Sequence, residues 1–349
     1  MVRTLVLGVL VSLWAVAGDI HFHGYGEGHF NAPSNDDNQL DLHRFVIGLQ
    51  YTFDDRWSFD MEVDFEHAFE EPEFEFLHLD YAYQESLNFR AGLILMPVGQ
   101  LNQNHEPNLF FSVERPYLEK EIIPTSWQEP GFGVFGAFGE GFDYQAYLVG
   151  GLKADGNDGS KGIRGWRSKG IESPANEAAF VGRLTWSQPG LQTGFSLFHG
   201  GIDQGRDLGF NSNLTLWDVD FHWNQAGWDI RGTYASATLS NPEDLNAYLG
   251  LEGEKSVGDQ NGFYATVGYD VLHGKKQKLV PFVTYESYDT QDGVPTGFSD
   301  KASTAKDIFT IGLAYFPIPK LALKMDYESW EDGADGTRSQ FNAGFGFQY

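Results

Sequence analysis

The sequence predicts an all-β fold: a transmembrane antiparallel β-barrel of 16 strands with an inward-folded third external loop. Three observations lead to this prediction: an aromatic-rich and glycine-rich composition, strand-length segments of alternating polarity, and connections that alternate between short and long. The 349 residues include 29 Phe, 16 Tyr, 9 Trp and 42 Gly. Aromatic residues favour strands, and no long stretch has helical periodicity.

The alternation of polarity is clearest in residues 57–70, which read WSFDMEVDFEHAFE. The odd-numbered positions are mostly aromatic or aliphatic, and most of the even-numbered ones are acidic. Successive side chains of a strand point to opposite faces, so this strand has one apolar face and one acidic face. In a membrane-spanning barrel the apolar face would contact lipid, and the acids would line a water-filled lumen.

Similar segments recur along the chain and predict sixteen strands. They are expected at residues 19–31, 40–53, 57–69, 74–84, 88–96, 131–138, 142–152, 178–186, 191–199, 213–223, 228–236, 262–272, 279–288, 307–316, 321–330 and 339–349. Short connections such as residues 54–56 and 139–141 alternate with longer polar ones such as 153–177, although residues 70–73 make a short connection where a long one is expected. This asymmetry is typical of outer-membrane barrels, which have tight periplasmic turns and long external loops.

The two ends of the chain indicate export and barrel assembly. Residues 1–17 have a basic residue, an apolar stretch and a small-residue end, which predicts a signal peptide cleaved after Ala17. Residues 18–349 would then form the outer-membrane barrel. The final segment, SQFNAGFGFQY, resembles the last strand of bacterial outer-membrane proteins, which ends in an aromatic residue. That resemblance implies recognition by the barrel-assembly machinery.

Charge and composition exclude several classes of function. The formal net charge of −26 argues against nucleic acid as a partner, because phosphate binding requires clustered Lys and Arg. The absence of Cys excludes disulfides and thiolate metal sites. No convincing Ser/His/acid set emerges from the strand positions, so no enzymatic activity and no cofactor are expected. A barrel enzyme and a soluble acidic β-protein are the less favoured alternatives.

The longest connection, residues 97–130, contains apolar residues whose exposure to water would be unfavourable. It is therefore expected to pack against the inside of the wall. At this point the sequence resembles the sixteen-stranded porin family, whose third external loop constricts the channel. The stretch FRAGLILMPVGQLNQ…FFSVERPYLEKEIIPTSWQEPGFGVFG looks more specifically like porin O/P-type proteins. The resemblance implies a homotrimer in outer-membrane lipid, although the basic ladder of phosphate-selective members is absent.

Charged residues on the polar faces of the strands are predicted to line the pore. They are Glu27, Arg44, Asp60, Glu62, Asp64, Glu66, Arg90, Arg183, Asp218, Asp220, Arg231, Lys324, Asp326 and Glu328. The charged residues expected in the constriction loop are Glu106, Glu114, Arg115, Glu119, Lys120 and Glu121. Because acids predominate, and acidic rings concentrate cations, the sequence predicts a passive channel for ions and small hydrophilic solutes that prefers cations.

Two further possibilities remain open from the sequence. His21, His23 and His29 share one face of the first predicted strand and are minor candidates for metal ligands. Histidines on a polar lumen face are more often simply solvated. The channel could also be specific for one substrate, such as a sugar, phosphate or a metal complex. Whether the third loop constricts or plugs the barrel is not decided by the sequence.

Overall fold

The computed structural model describes residues 18–68, 71–153, 161–170, 172–204, 209–252, 255–334 and 336–349. The predicted signal peptide, residues 1–17, lies outside the described residues. Sixteen antiparallel strands form a closed barrel in which each strand pairs with the next and β1 pairs with β16. The predicted fold class, an all-β antiparallel barrel of 16 strands, is therefore confirmed.

The strand bounds agree with the predicted segments to within a few residues, except where a strand continues further into a loop. The strands are β1 (Asp19–Pro33), β2 (Gln39–Thr52), β3 (Trp57–Glu66), β4 (Glu71–Gln84), β5 (Leu87–Leu95), β6 (Gln128–Phe138), β7 (Phe142–Val149), β8 (Ala179–Gln188), β9 (Leu191–Gly201), β10 (Asn213–Gln225), β11 (Trp228–Leu239), β12 (Asp259–Tyr269), β13 (Lys278–Gly293), β14 (Ala305–Ile318), β15 (Leu321–Asp332) and β16 (Thr337–Gln348).

The predicted third strand is wrong at its end. It was expected to continue to residue 69, but β3 ends at Glu66. His67 and Ala68 have positive φ angles of 47° and 56°, which turn the chain out of the strand. His67 therefore leaves the alternation that the sequence suggested, and Phe69 and Glu70 lie outside the described residues.

The connections longer than eight residues all lie at one end of the barrel, which also has short connections at 34–38, 67–70 and 333–336. The turn between β10 and β11 is Ala226–Gly227, and both residues have positive φ (53° and 87°), as in the tight hairpin turns that suit twisted strands. Helical segments occur only in the longer connections of the described chain: α1 (Leu118–Glu121), α2 (Pro242–Leu249), and 3-10 turns at Ile163–Trp166 and Ala302–Thr304. Among the described residues, no helix is long and apolar enough to cross a membrane.

An apolar core occupies the long-loop end of the barrel. Trp127 is fully buried, and its ring centroid lies 4.9 Å from that of Phe198 on β9. Leu214 and Leu216 on β10 belong to the same cluster, as do Ile163 and Trp166 from the connection after β7. The inner wall is thus not polar throughout, because at the end of the barrel with the long connections it carries apolar side chains that pack against those connections.

Candidate functional site

Strand β15 has two chemically different faces. Leu323, Met325 and Tyr327 are 46%, 50% and 48% exposed. Lys324 and Asp326, which alternate with them, are buried. In a closed barrel the exposed face is the outer surface and the buried face points inward, so the predicted separation of apolar and charged side chains is present.

The segment between β5 and β6, residues 96–127, is closed at its base by one side chain. The Asn102 amide donates to Met96 O (2.7 Å) and Trp127 O (3.0 Å), and its oxygen accepts from Trp127 N (2.8 Å). Asn102 is fully buried. The connection is therefore a compact loop with joined ends, called the inner segment below.

Inner-face carboxylates from several strands accept hydrogen bonds from the backbone of the inner segment. Irregular backbone leaves N–H groups without a ladder partner, and a buried N–H needs an acceptor. The pairs are Gly99 N with Asp218 (3.1 Å), Val113 N with Asp326 (2.6 Å), and Leu118 N with Glu286 (3.2 Å). Asp218 and Asp326, both predicted to line the pore, thus lie beneath the inner segment and hold its backbone.

A buried polar cluster joins the inner segment to strands β1, β2 and β4 of the wall. His105 Nε2 lies 2.8 Å from Tyr25 Oη and 3.0 Å from Glu75 Oε1. Arg44 donates to Glu75 (3.1 Å) and to Tyr25 (3.2 Å), and the Tyr25 hydroxyl donates to Glu75 (2.8 Å). Burial disfavours a charged imidazole, but the adjacent Glu75 carboxylate outweighs it and raises the pKa of His105. This set of four residues is called the polar latch.

Two cavities lie above and below the polar latch along β3. The upper cavity has a volume of about 260 Å³ and is lined by His43, Arg44, Glu66, His67, Glu114, Arg115, Lys120, Thr125 and Arg164. The lower cavity, of about 620 Å³, is lined by Asp60, Phe76, His78, Glu85, Asn88, Arg90, Leu95, Gln103, Phe135, Gly136, Ala137, Asp143, Tyr144, Gln145 and Tyr147. Glu62 and Asp64, which lie between Asp60 and Glu66 on β3, are buried. Arg44 of the polar latch lies 3.3 Å from Asp64, so the polar latch lies beside the buried stretch of β3 between the two cavities.

A third cavity, of about 550 Å³, lies near the short turns on the other side of the inner segment. Arg231, Phe111, Asp229 and Lys320 are among its lining residues. The Arg231 guanidinium stacks 4.8 Å from the centre of the Phe111 ring.

The arginines predicted to line the pore pair with acids of the wall rather than with acids of the inner segment. Arg90 binds Asp80 through two bonds of 2.8 Å, and Arg183 lies 2.7 Å from Asp220 and 3.7 Å from Asp218. Arg231 pairs with Asp229 (2.7 Å) and also donates to Leu109 O of the inner segment (2.6 Å). Arg44 pairs with Glu66 and Asp64 of β3 as well as with Glu75.

The remaining predicted residues lie at the boundary between the wall and the inner segment. Glu27 contacts His29 (3.1 Å), Lys324 donates to Ser112 O (2.9 Å), and Glu328 accepts from Tyr117 (3.2 Å). Two acids of the inner segment contact the wall: Glu106 accepts from Gln348 (3.2 Å), and Glu114 lies 3.3 Å from His29. Arg115 and Lys120 line the upper cavity. Glu121 is half-buried at the end of α1.

Glu119 is the most deeply embedded acid of the inner segment. It is fully buried and accepts from Gln100 N (3.0 Å) and Leu101 N (3.3 Å). Burial, followed by the negative charge of Asp218, raises the pKa of Glu119 to about 8. A protonated carboxyl at neutral pH fits this position, because an ionised one would be desolvated beside a second acid.

The histidines proposed as minor metal candidates do not meet. The His21 and His23 rings stack with centroids 6.2 Å apart, and His23 contacts Asp60 and Glu62 at 3.0 Å each. His29 lies further along β1 and contacts Glu27 and Glu114. The three residues therefore provide no common site in the structure.

Sequence reasoning missed three members of the polar latch. Tyr25 shares the inward parity of His23 and Glu27, but it was not singled out. Glu75 was missed because the β3–β4 pairing shifts by one residue, so that Glu62 pairs with Phe76 and Val63 with Phe74. Such a β-bulge places the extra residue on the face opposite to the one that simple alternation predicts. His105 lies in irregular backbone, where no periodicity indicates its direction.

Comparison with known proteins places the chain in a family. No family model matches it. An uncharacterized protein of Aquifex aeolicus (strain VF5) is 36% identical over 347 residues, which cover 93% of this chain and 79% of that protein. The chain belongs to the same family as the Aquifex aeolicus protein.

Solved structures show the same fold at low sequence identity. The outer membrane channel DcaP of Acinetobacter baumannii is 11% identical, with a TM-score of 0.64 over 96% of this chain and 98% of that one. An anion-selective porin from Comamonas acidovorans is 12% identical, with a TM-score of 0.63 over 95% of this chain and 100% of that one. The barrel thus has the fold of outer-membrane porins and channels.

Proposed function

We propose that the protein is an outer-membrane channel for the passive diffusion of ions and small hydrophilic solutes. The observation that carries this proposal is the closed sixteen-strand barrel with an apolar outer face and a charged inner face. Exposed side chains such as Phe309, Ile311 and Met325, which are 48%, 52% and 50% exposed, suit contact with lipid. Sixteen strands enclose a lumen wide enough for water and solutes.

We propose further that the inner segment lies within the lumen and narrows it. Its residues bind strands on nearly opposite sides of the barrel: Gly99 contacts Asp218 on β10, and His105 contacts Tyr25 on β1. Seven strand-to-strand steps separate β1 from β10 along the shorter route. A segment that reaches both inner faces must cross the lumen, and this crossing supports its assignment as the constriction.

The proposed solute path follows the inner wall of β1 to β4, through the upper cavity, the polar latch and the lower cavity. Asp60, Glu85 and Asp143 line the lower cavity together with a single arginine, Arg90. Because local charges in a narrow aqueous path set the concentration of ions there, this part supports a preference for cations. Other wall acids contribute less, because they either pair with wall arginines, as Asp80 and Asp220 do, or bind the inner segment, as Asp218 does.

The cellular context belongs to the same proposal. Residues 1–17 would direct the chain to the periplasm and then be removed, and the aromatic residues at the end of the chain would serve barrel assembly. The related fold supports a homotrimer in the outer membrane. Cross-linking of the detergent-solubilised protein, followed by gel electrophoresis without heating, tests that state: a single monomer band contradicts it.

Reversal potential in a planar bilayer under a KCl gradient tests the channel and its selectivity. We expect a current whose reversal potential has the sign of a cation-selective channel, and Asp60→Asn should shift that reversal potential towards zero. Asp307→Asn is the matched control, because Asp307 is exposed on the outer face and accepts from Tyr285 (2.7 Å). An anion-side potential would contradict the cation preference, and the absence of any current would contradict passive diffusion.

A substrate-specific channel is the second candidate, and the composition of the upper cavity favours it. Arg44, Arg115, Lys120 and Arg164 line that cavity against two acids, Glu66 and Glu114. Clustered basic side chains recognise anions such as phosphate. Phosphate at millimolar concentration should then reduce KCl current in a saturable way, whereas a simple diffusion channel would show no saturation.

A further inference from the structure

Three potential metal ligands meet at the long-loop end of the barrel, beside the upper cavity. Asp41 Oδ2 lies 3.2 Å from His43 Nδ1 and 2.9 Å from His67 Nδ1. One ligand atom of each residue lies within 4.8 Å of the corresponding atoms of the other two. None of these three residues is among the histidines that the sequence suggested or belongs to the polar latch.

Backbone geometry brings the three side chains together. Asp41 and His43 are two residues apart on β2, so they share one face of that strand. His67 follows β3 in the turn with positive φ, and its N–H donates to His43 O (3.0 Å). The next N–H, that of Ala68, donates to Leu42 O (3.3 Å). These two bonds hold the turn against β2 and set His67 opposite Asp41.

We propose that Asp41, His43 and His67 bind a divalent transition-metal ion of the zinc class. Two imidazole nitrogens and one carboxylate oxygen form a donor set that suits Zn²⁺, Ni²⁺ or Cu²⁺ better than Ca²⁺ or Mg²⁺. In a tetrahedral zinc site with bonds of about 2.0–2.1 Å, neighbouring ligand atoms lie about 3.4 Å apart. The observed Asp41–His67 and Asp41–His43 separations of 2.9 and 3.2 Å are close to that value, and the ligand atoms of His43 and His67 lie within 4.8 Å of each other.

The surroundings leave one coordination position open and support the ligands. His43 and His67 both line the upper cavity, so a water molecule or a solute carboxylate can reach the fourth position. The His29 ring stacks on the His43 ring with centroids 4.5 Å apart. His29 is itself held by Glu27 (3.1 Å) and Glu114 (3.3 Å). This stacking restrains the His43 ring, and the contacts of His29 place two acids near the site.

The position of the site gives it a consequence for the channel. The metal would link β2 to the β3–β4 turn beside the mouth of the upper cavity. A bound divalent cation there would add positive charge at that mouth and an open position for an anionic group of a passing solute.

Calorimetric titration of the purified, detergent-solubilised protein with Zn²⁺ tests the proposal. We expect one Zn²⁺ per chain, with affinity at least about tenfold weaker in Asp41→Asn and in His67→Ala. Co²⁺ should give a visible absorption spectrum that Zn²⁺ abolishes. The matched control is His23→Ala, which removes a histidine on β1 held by Asp60 and Glu62 and should leave the affinity unchanged.

Three results would overturn the proposal: no binding above the background of a strongly acidic protein, unchanged affinity in both ligand variants, or an equal loss in His23→Ala. Folding of each variant is checked by gel electrophoresis of heated and unheated samples, because a folded barrel and an unfolded chain migrate differently. If Asp41→Asn does not fold, His67→Ala decides the question, because His67 is exposed in a turn and contributes nothing to the core.

Discussion

Replacing Asn102 with alanine should release the inner segment without unfolding the barrel. The substitution removes three hydrogen bonds, but their partners are affected differently. Met96 O still accepts from Val98 N (2.8 Å), and Trp127 O still accepts from Met96 N (2.9 Å). Trp127 N–H, by contrast, loses the Asn102 oxygen, its acceptor at 2.8 Å.

These contacts give the expected magnitude. A buried N–H left without an acceptor costs about 1–3 kcal/mol, and each lost neutral bond whose acceptor keeps a partner costs about 0.5–1.5 kcal/mol. Together they amount to about 2–6 kcal/mol of docking free energy. Since about 1.4 kcal/mol corresponds to a factor of ten, the population of the undocked inner segment should rise by at least about 30-fold.

Amide hydrogen exchange followed by mass spectrometry measures this opening directly. Peptides from residues 96–127 should exchange faster in Asn102→Ala, and peptides from β12 to β14 should not. The matched control is Asn108→Ala in the same segment, whose amide donates only two longer bonds of 3.3 Å, to Pro319 O and Gln348. Equal exchange in the two variants, or faster exchange throughout the barrel, would refute the reasoning.

Three other predictions concern the same segment. Removing His105 by substitution with alanine breaks its contact with Glu75 between the two cavities, so single-channel conductance in a planar bilayer should increase. Burial raises the pKa of Glu119 to about 8 from 4.5, so protonation favours the docked inner segment. The docking equilibrium constant should therefore fall roughly tenfold per pH unit as pH rises between these values, and exchange corrected for intrinsic rates should speed up accordingly, except in Glu119→Gln. Replacing Arg167 with leucine removes bonds of 2.7 and 2.5 Å to Pro124 O and Ser126 O, which at about 1.5–3 kcal/mol each should accelerate exchange near residues 122–127.

Each of these predictions has a result that contradicts it. For the conductance experiment, His199→Ala is the control, because His199 is an exposed histidine that contacts Thr215 (2.9 Å); equal conductance in both variants would show that the polar latch does not limit flow. For Glu119, a pH profile that persists in the glutamine variant would assign the titration to another group. For Arg167, exchange that rises equally near residues 99–113 would show general loosening rather than loss of a local clamp.

The barrel could be predicted from the sequence because its signal is local. A strand with one face in an apolar environment must alternate in polarity, and a closed antiparallel barrel must alternate its turns between two ends. Both patterns are readable without knowing any contact. The exceptions are equally local in cause: His67 and Ala68 adopt positive φ, which ends β3 earlier than the apolar residue at 69 suggested.

The candidate site was less predictable because its key residues depart from alternation. Glu75 was assigned no role, since counting by twos places it on the face of Leu77 and Leu79. The bulge between β3 and β4 reverses that count and turns Glu75 inward to meet His105. A bulge depends on pairing between two strands, so a single strand's sequence does not reveal it. The proposed metal site depends in the same way on the turn that brings His67 to Asp41.

The density of acids on the inner face has a structural explanation that charge counting did not provide. An irregular segment in a barrel exposes backbone N–H groups on its whole length, and wall carboxylates such as Asp218, Glu286 and Asp326 supply acceptors for them. An acid used in this way is buried and contributes little to the field along a water-filled path. The selectivity of the channel should therefore follow the few charges that border the cavities, such as Asp60 and Arg90, rather than the net charge of −26. If Asp218→Asn shifts the reversal potential as much as Asp60→Asn does while exchange in the inner segment stays unchanged, this explanation is wrong.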